Sequence, residues 1–328
     1  MIKSQDIPVL LILFNRPDQA KKLLLQIKKN NIRNLYISID GPRHEEDESN
    51  IEVIIENIND LFNEEINLKI QRLDKNLGCG LGPRKAISWF FENEDMGVIL
   101  EDDCIPSDSF FKFCSQLLIR YKDEKKIWMV SGDNGGPILN KDLFNDDDYL
   151  FSSVPLIWGW ATWKDRWEAY DDDLDNWKKS IFKNIKYLKH VNIFEKYVVY
   201  KLCKNSSNTK VKNFWDFQMY STMMKNSAFT IVPKHNLISN IGWGPTATHT
   251  LNENFRSFSE AKDFRISKFH DEVTLNKKIN NIITYSIHTN VKKHIIDKDI
   301  VFLMRIYYLY ERFLNYFKMS KNILINNK

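Results

Sequence analysis

Cysteine is scarce in this chain: Cys79, Cys104, Cys114 and Cys203 are the four in 328 residues. They form no Cys-x-x-Cys pair and share no recurring spacing with histidine, which excludes a zinc cage or a disulfide framework and leaves reduced, mostly buried thiols. Long hydrophobic runs are absent too. The apolar stretch from Val9 to Asn15 is too short for a secretory core, so a cytoplasmic protein is expected. The segment Ile300 to Phe317 is apolar and aromatic, but Arg305, Glu311 and Arg312 interrupt it and argue against a membrane span. A charge surplus is lacking: 47 Lys and Arg stand against 43 Asp and Glu, a net +4 spread along the chain. That balance excludes nucleic acid as a partner. No Gly-x-Ser-x-Gly or His-Glu-x-x-His occurs, and none of the seven histidines joins a cysteine in a nucleophile arrangement, which lowers hydrolase readings. No internal repeat or low-complexity linker is found.

What is present is alternation. Pro8 to Phe14 is a continuous apolar run of strand length, followed by the turn Asn15-Arg16-Pro17-Asp18 and an amphipathic helix, Gln19 to Lys29. Leu35 to Ile39 reads as a second strand ending at Asp40-Gly41-Pro42, before a helix marked by Ile51, Ile54, Ile55, Ile58, Leu61 and Phe62. A third strand spans Asn67 to Leu73. A Gly-rich loop, Asn76 to Pro83, then leads to a helix from Arg84 to Glu92, and a fourth strand, Gly97 to Leu100, ends in Glu101-Asp102-Asp103. This pattern predicts an α/β domain with a mostly parallel sheet flanked by helices.

Farther on, a helix from Phe110 to Tyr121 and a strand from Ile127 to Val130 precede Trp-rich, irregular sequence from Asn134 to Tyr170. Helices are predicted near Asn176 to Leu188, Asn192 to Lys204 and Trp215 to Lys225, with a strand at Phe229 to Val232. Beyond Asn252 the chain turns polar and ends in the helix Ile300 to Phe317. The division expected is a nucleotide-binding and catalytic domain over 1–251 and a partly helical C-terminal extension over 252–328.

Open parallel sheets bind ligands at the carboxyl ends of their strands, and Arg16, Asp40 and the three carboxylates fall at three such ends. Three adjacent carboxylates repel one another unless something positive joins them, and oxygen ligands with open positions suit Mn²⁺ or Mg²⁺ shared with phosphates. The competing reading is a solvated turn that caps the helix starting near Asp108. Gly78, Gly80 and Gly82, followed by Arg84 and Lys85, offer backbone access to a diphosphate at a helix N-terminus, although the spacing matches no phosphate-binding fingerprint and an ordinary loop fits as well. Trp158 and Trp160 could face a sugar, whereas Trp163 and Trp167 fit core packing. His249 lies in a shaped segment with Gly242, Gly244 and Pro245, which reads equally as a surface turn or a functional loop. Asp216, taken alone, reads as a helix-starting carboxylate.

In their order, these segments resemble the GT-A glycosyltransferases, in particular the inverting N-acetylglucosaminyltransferase that begins complex N-glycan branching, and bacterial relatives. Val9 to Arg16 is similar to the family's first strand and its basic residue, and Ser38-Ile39-Asp40-Gly41 to the strand end whose Asp contacts uracil. Glu101-Asp102-Asp103, with Pro106, Asp108, Phe110 and Phe111, resembles the metal motif and the helix after it. Asp133-Asn134-Gly135, Gly159-Trp160 and Trp167 resemble the next loop and the acceptor-side element. Phe214-Trp215-Asp216 is similar to the family's Phe-Trp-Asp. The resemblance therefore implies that Asp216 is the catalytic base and that Asp103 holds the Mn²⁺ or Mg²⁺. It implies that Phe14, Asn15, Arg16, Asp40, Gly41, Arg43, Gly78, Arg84, Glu101, Asp102 and His249 hold the nucleotide-sugar, and that Asp133, Asn134, Gly159, Trp160 and Trp215 serve the acceptor or the donated sugar. Phe217 stands where the family has a second Asp, and one residue is added near Ile157-Trp158, so no acceptor identity carries over.

The function implied is metal-dependent, inverting transfer of a sugar from a nucleoside diphosphate, UDP by resemblance, to an acceptor hydroxyl. A glycan or lipid-linked acceptor in bacterial surface-polysaccharide synthesis is expected. The helix Ile300 to Phe317 is read as packing on the domain or on a second copy, or as a peripheral contact with the inner face of the membrane. A sugar nucleotidyltransferase is a competing reading, disfavoured because no glycine follows the first strand. A non-catalytic carbohydrate-binding protein is another, and it leaves Glu101-Asp102-Asp103 unexplained.

Overall fold

The structure, a computed structural model, describes residues 3–62, 66–136, 144–172, 195, 214–242, 260–277 and 280–284. Its centre is an eight-stranded sheet in the order β3-β2-β1-β4-β8-β6-β9-β7. The strands are β1 Val9–Leu13, β2 Asn34–Ile39, β3 Asn67–Arg72, β4 Met96–Glu101, β6 Ile127–Ser131, β7 Tyr149–Ser152, β8 Trp160–Trp163 and β9 Phe229–Pro233. All run one way except β7 and β8. A separate ribbon pairs β5, Cys104–Pro106, antiparallel with β10, Ile238–Asn240. The helices are α1 Pro17–Lys29, α2 Glu45–Leu61, α3 Gly78–Asn93, α4 Phe110–Arg120, α5 Lys164–Glu168 and α6 Asp216–Lys225.

Helices cover both faces of β1, β2 and β4, which is why these strands read as apolar runs, whereas the edge strand β3 alternates and has no buried residue. Val9, Leu11 and Leu13 of β1 and Val98 and Leu100 of β4 pack with the buried faces of α1, α2 and α4. Leu10 and Ile99 point the other way, into a cluster with Ala86, Ile87, Phe90, Trp167, Trp215 and Met219 on the side of α3, α5 and α6. The doubly wound, Rossmann-like α/β class expected from the alternation is the one observed.

Two expectations are corrected. The Gly-rich segment is no loop: Gly78, Gly80 and Gly82 form the opening turns of α3, with Gly80 and Gly82 buried. The Trp-rich stretch is not irregular, since it contains β7 and β8. Both strands are only four residues long and buried throughout, so they carry neither length nor alternation as a signal. The described part of the C-terminal extension lies against the main domain. Phe264, Ile266, Phe269, Val273 and Leu275 pack on the main core, and Leu275 bridges Phe151 of the edge strand β7. The helices predicted at Asn176 to Leu188 and Asn192 to Lys204, apart from helical Glu195, lie outside the described residues, as does Ile300 to Phe317. Among the described residues no helix is long and apolar enough to cross a membrane.

Candidate active site

The carboxyl ends of β1, β2 and β4 form one edge of the sheet, and the charged residues expected there meet. Arg16 caps α1 without a side-chain bond to the helix and reaches across to the end of β4. It grips Asp102 with two nitrogens, through Nη2 to Oδ1 and through Nε to Oδ2 at 3.1 Å, and its Nη1 lies 3.2 Å from Asp103 Oδ2. Burial works against the guanidinium charge, but Asp102, Asp103 and then Glu101 hold it firmly protonated. The side chains divide the work by exposure: Asp102 is 4% exposed and committed to Arg16, whereas Asp103 is 16% exposed at the mouth. Behind them Glu101 is pushed up by burial and then by Asp103 and Asp102, more than Arg16 offsets. Three carboxyls around one guanidinium cannot all ionise without a further cation.

The β5–β10 ribbon carries a second layer to Asp103. Asn240 pairs with Cys104, and its Nδ2 lies 3.4 Å from Asp103 Oδ1. Gly242 donates its N–H to Asn240 Oδ1 at 2.9 Å, and Ile241 donates to the Asp103 carbonyl at 2.9 Å. A methyl group on Gly242 would come within 2.2 Å of Asp103 Oδ2, so only glycine leaves the carboxylate where it is. Asn240 gave no signal in the sequence, because it ends a three-residue strand.

Asp216 starts α6 and arrives from more than a hundred residues away. It sits close enough to Glu101 and Cys79 to perturb both electrostatically. Burial pushes its carboxyl up to about 6, against the N–H of Phe217, which donates to Oδ1 at 2.9 Å. The aromatics expected at the acceptor side are buried. Trp160 and Trp215 are 1% and 4% exposed and stack on each other, 5.7 Å between centroids at 23°, so neither ring offers a face to a sugar. Trp215 caps the helix that Asp216 begins. Gly159, at φ +63°, makes room for Ile238 of β10, whose Cδ1 would lie 2.4 Å from an added Cβ.

The remaining residues are placed as follows. Asp40 accepts N–H groups of Gly41, Leu77 and Gly78 at 2.9, 2.9 and 3.0 Å, so its carboxylate occupies the N-terminus of α3 that was expected to cradle a diphosphate. Asn15 and Arg43 both bind Asp47, a buried carboxylate overlooked in the sequence although it stands four residues after Arg43, and Arg43 lies 4.9 Å over the Phe14 ring. Asp133 and Asn134 are buried past the end of β6, where each accepts an N–H two residues on, from Gly135 and Gly136. Arg84 is drawn away from the strand ends, paired with Asp172 and 5.5 Å over the Tyr170 ring. His249 lies outside the described residues.

Among the described residues no three His, Cys, Asp or Glu side chains form a ready metal cage. A hard divalent cation fits here through one carboxylate at the mouth, Asp103, with its other positions left for phosphate oxygens and water.

No protein-family model matches the chain, and no curated protein matches it. Three solved structures are loosely similar. The apo WbbM bifunctional glycosyltransferase matches at TM-score 0.32 and 9% identity, over 70% of this chain; the chain spans only 38% of that protein. Mouse xyloside xylosyltransferase 1, also apo, matches at TM-score 0.32 and 10% identity over 69% of this chain and 84% of its own. A Bacillus anthracis protein assigned as a glucose-1-phosphate thymidylyltransferase, in complex with sucrose, matches at 0.27 and 12% over 55% and 75%. Likenesses of this size decide neither fold nor activity, and the functional reading rests on the side chains described above.

Proposed function

We propose that this chain is a metal-dependent, inverting GT-A glycosyltransferase that moves a sugar from UDP to an acceptor hydroxyl. The observation that carries the reading is the cluster of three carboxyls at the end of β4, with Asp102 held by Arg16, Asp103 at the mouth, and Asp216 facing them from a separate helix. A nucleotide diphosphate would lie across the crevice at the ends of β1, β2 and β4. Asp103 would hold Mn²⁺ or Mg²⁺, which supplies charge neutralisation for the departing diphosphate. Arg16 fixes Asp102 and orients Asp103 from below. Asp216, with a carboxyl raised toward neutrality, takes the proton of the acceptor hydroxyl as its oxygen attacks the anomeric carbon; a single displacement inverts that carbon and needs no carboxylate nucleophile. The nucleotidyltransferase reading is weaker. The β1–α1 connection has no glycine, and its one arginine is committed to Asp102 and Asp103.

The direct test is a panel of nucleotide-sugars, each incubated with Mn²⁺ and with chelator. Metal-stimulated release of UDP from one donor is the expected result. Equal release in chelator, or formation of a nucleotide-sugar from a nucleoside triphosphate and a sugar phosphate, would overturn the assignment.

The Asn240–Gly242 layer gives a second expectation. Gly242→Ala should turn the Asp103 carboxylate and weaken Mn²⁺ affinity by about 10-fold to 100-fold, the range for a displaced supporting group around a metal. Mn²⁺ titration by electron paramagnetic resonance reads this directly, and unchanged affinity would mean that Asp103 does not hold the ion.

A further inference from the structure

With Trp160 and Trp215 buried against each other, the aromatic residues expected to meet an acceptor are unavailable for it. An open groove of about 750 Å³ runs down the outer side of α3 toward α5. Its size falls in the range of about 300–1,000 Å³ common to small-molecule sites. The upper end touches the catalytic helix. Tyr170 donates its hydroxyl to the Trp215 carbonyl at 3.1 Å, one residue before Asp216, and its ring stacks on Trp167 at 4.8 Å and 20°. About one and a half turns along α3 from Arg84, the half-buried Trp89 stands edge-on to Tyr36 and lines the same groove.

The lining has the chemistry of a sugar site. The half-buried Trp89 suits the C–H face of a pyranose ring, Tyr170, held between Trp167 and Arg84, walls the upper end, and the polar ends of Gln71, Arg84 and Asp172 suit sugar hydroxyls. The charges balance: Arg84 is paired with Asp172, and Lys85 and Lys164 stand against Glu92 and Glu168. A polyanion has no surplus of positive charge to meet there.

We propose that this groove is the acceptor subsite and that it holds a neutral oligosaccharide, whose terminal hydroxyl is delivered to Asp216 past Tyr170 while inner sugars lie along α3 toward Trp89. The proposal rests on the transferase reading, and the test separates the two. The full chain, with UDP and Mn²⁺ present, is applied to immobilised neutral glycans graded from monosaccharide to hexasaccharide. Donor hydrolysis without acceptor is measured on the same preparations. Retention should rise with glycan length. Trp89→Ala and the exposed Lys85→Ala should each reduce retention of the longer glycans, the former by about tenfold, while donor hydrolysis stays within about twofold of the parent. Lys85→Ala, at an exposed surface position, guards against misfolding as the cause. No retention at any length, equal retention of monosaccharide and hexasaccharide, or parent-like retention by both variants would overturn the subsite. Loss of length-dependent retention with hydrolysis intact condemns the groove alone; absent hydrolysis in the parent condemns the transferase reading alone.

Discussion

Asp216→Asn should lower turnover by about 10²- to 10⁴-fold, the range for removing a general base, while Mn²⁺ and UDP affinity stay near the parent value. The change is isosteric, and the amide cannot take up the acceptor proton. Steady-state transfer together with UDP titration checks it; an equal loss of nucleotide affinity would assign Asp216 a structural role. A pH profile adds a second readout. Burial holds this carboxyl near 6, above its ordinary value, so the base is progressively protonated as pH falls through that point, and kcat/KM should drop there. The stability effect has the opposite sign. A carboxyl whose folded-state value is raised favours the folded state when protonated, a contribution fully present below its ordinary value of 3.8 and lost as pH rises from there through about 6. Asp216→Asn removes the cost of ionisation, so the variant should be at least as stable as the parent at pH 8 while being far less active.

Asp103→Ala is the other large effect. Metal-stimulated transfer should fall by about 10²- to 10³-fold or more, the order expected when a group that stabilises developing charge is lost, and Mn²⁺ binding should disappear. The fold should survive, because Arg16 keeps its two bonds to Asp102. The neighbouring substitution behaves differently. Asp102→Ala removes two of the three bonds of a partly buried Arg16, leaving the contact to Asp103, and should destabilise the protein by about 1–3 kcal/mol. Urea denaturation and metal titration of the two variants separate the carboxylate that faces a ligand from the one that holds the site together; parent-like transfer by Asp103→Ala in chelator would end the metal reading.

The sheet was legible wherever strand and helix alternate at full length, from Val9 to Ser131, because burial on both faces writes itself as continuous apolar runs. Legibility failed where elements are short. β5, β7, β8 and β10 have three or four residues each, below the length at which a period can be read. At the site, the convergence of Arg16 with Glu101, Asp102 and Asp103 followed from their common place at strand ends. Their division of labour did not, since only exposure distinguishes Asp102 from Asp103. The burial of Trp160 and Trp215 was not legible because an aromatic side chain suits a sugar face and a buried stack equally well. Asp40 was placed correctly at the end of β2, yet nothing in its neighbours announced that it would occupy the N–H groups of α3.

Residues 260–275, which pack against β10, α4 and β7 in turn, bear on how this chain is made. Their contacts join positions far apart in sequence: Asp148 with Ser267 across 119 residues, Arg120 with His270 across 150, and Ser109 with Asp263 across 154. Pairings so distant are slow to close, because the intervening chain must surrender its freedom before any of them forms. During synthesis, β7 therefore waits as an open sheet margin until the ribosome has released the strap, and for that interval its unpaired backbone is available to other nascent chains. Slowing translation upstream of residue 260 should raise the share of chains lost to aggregation, a burden that belongs to assembly and leaves no trace in the finished fold.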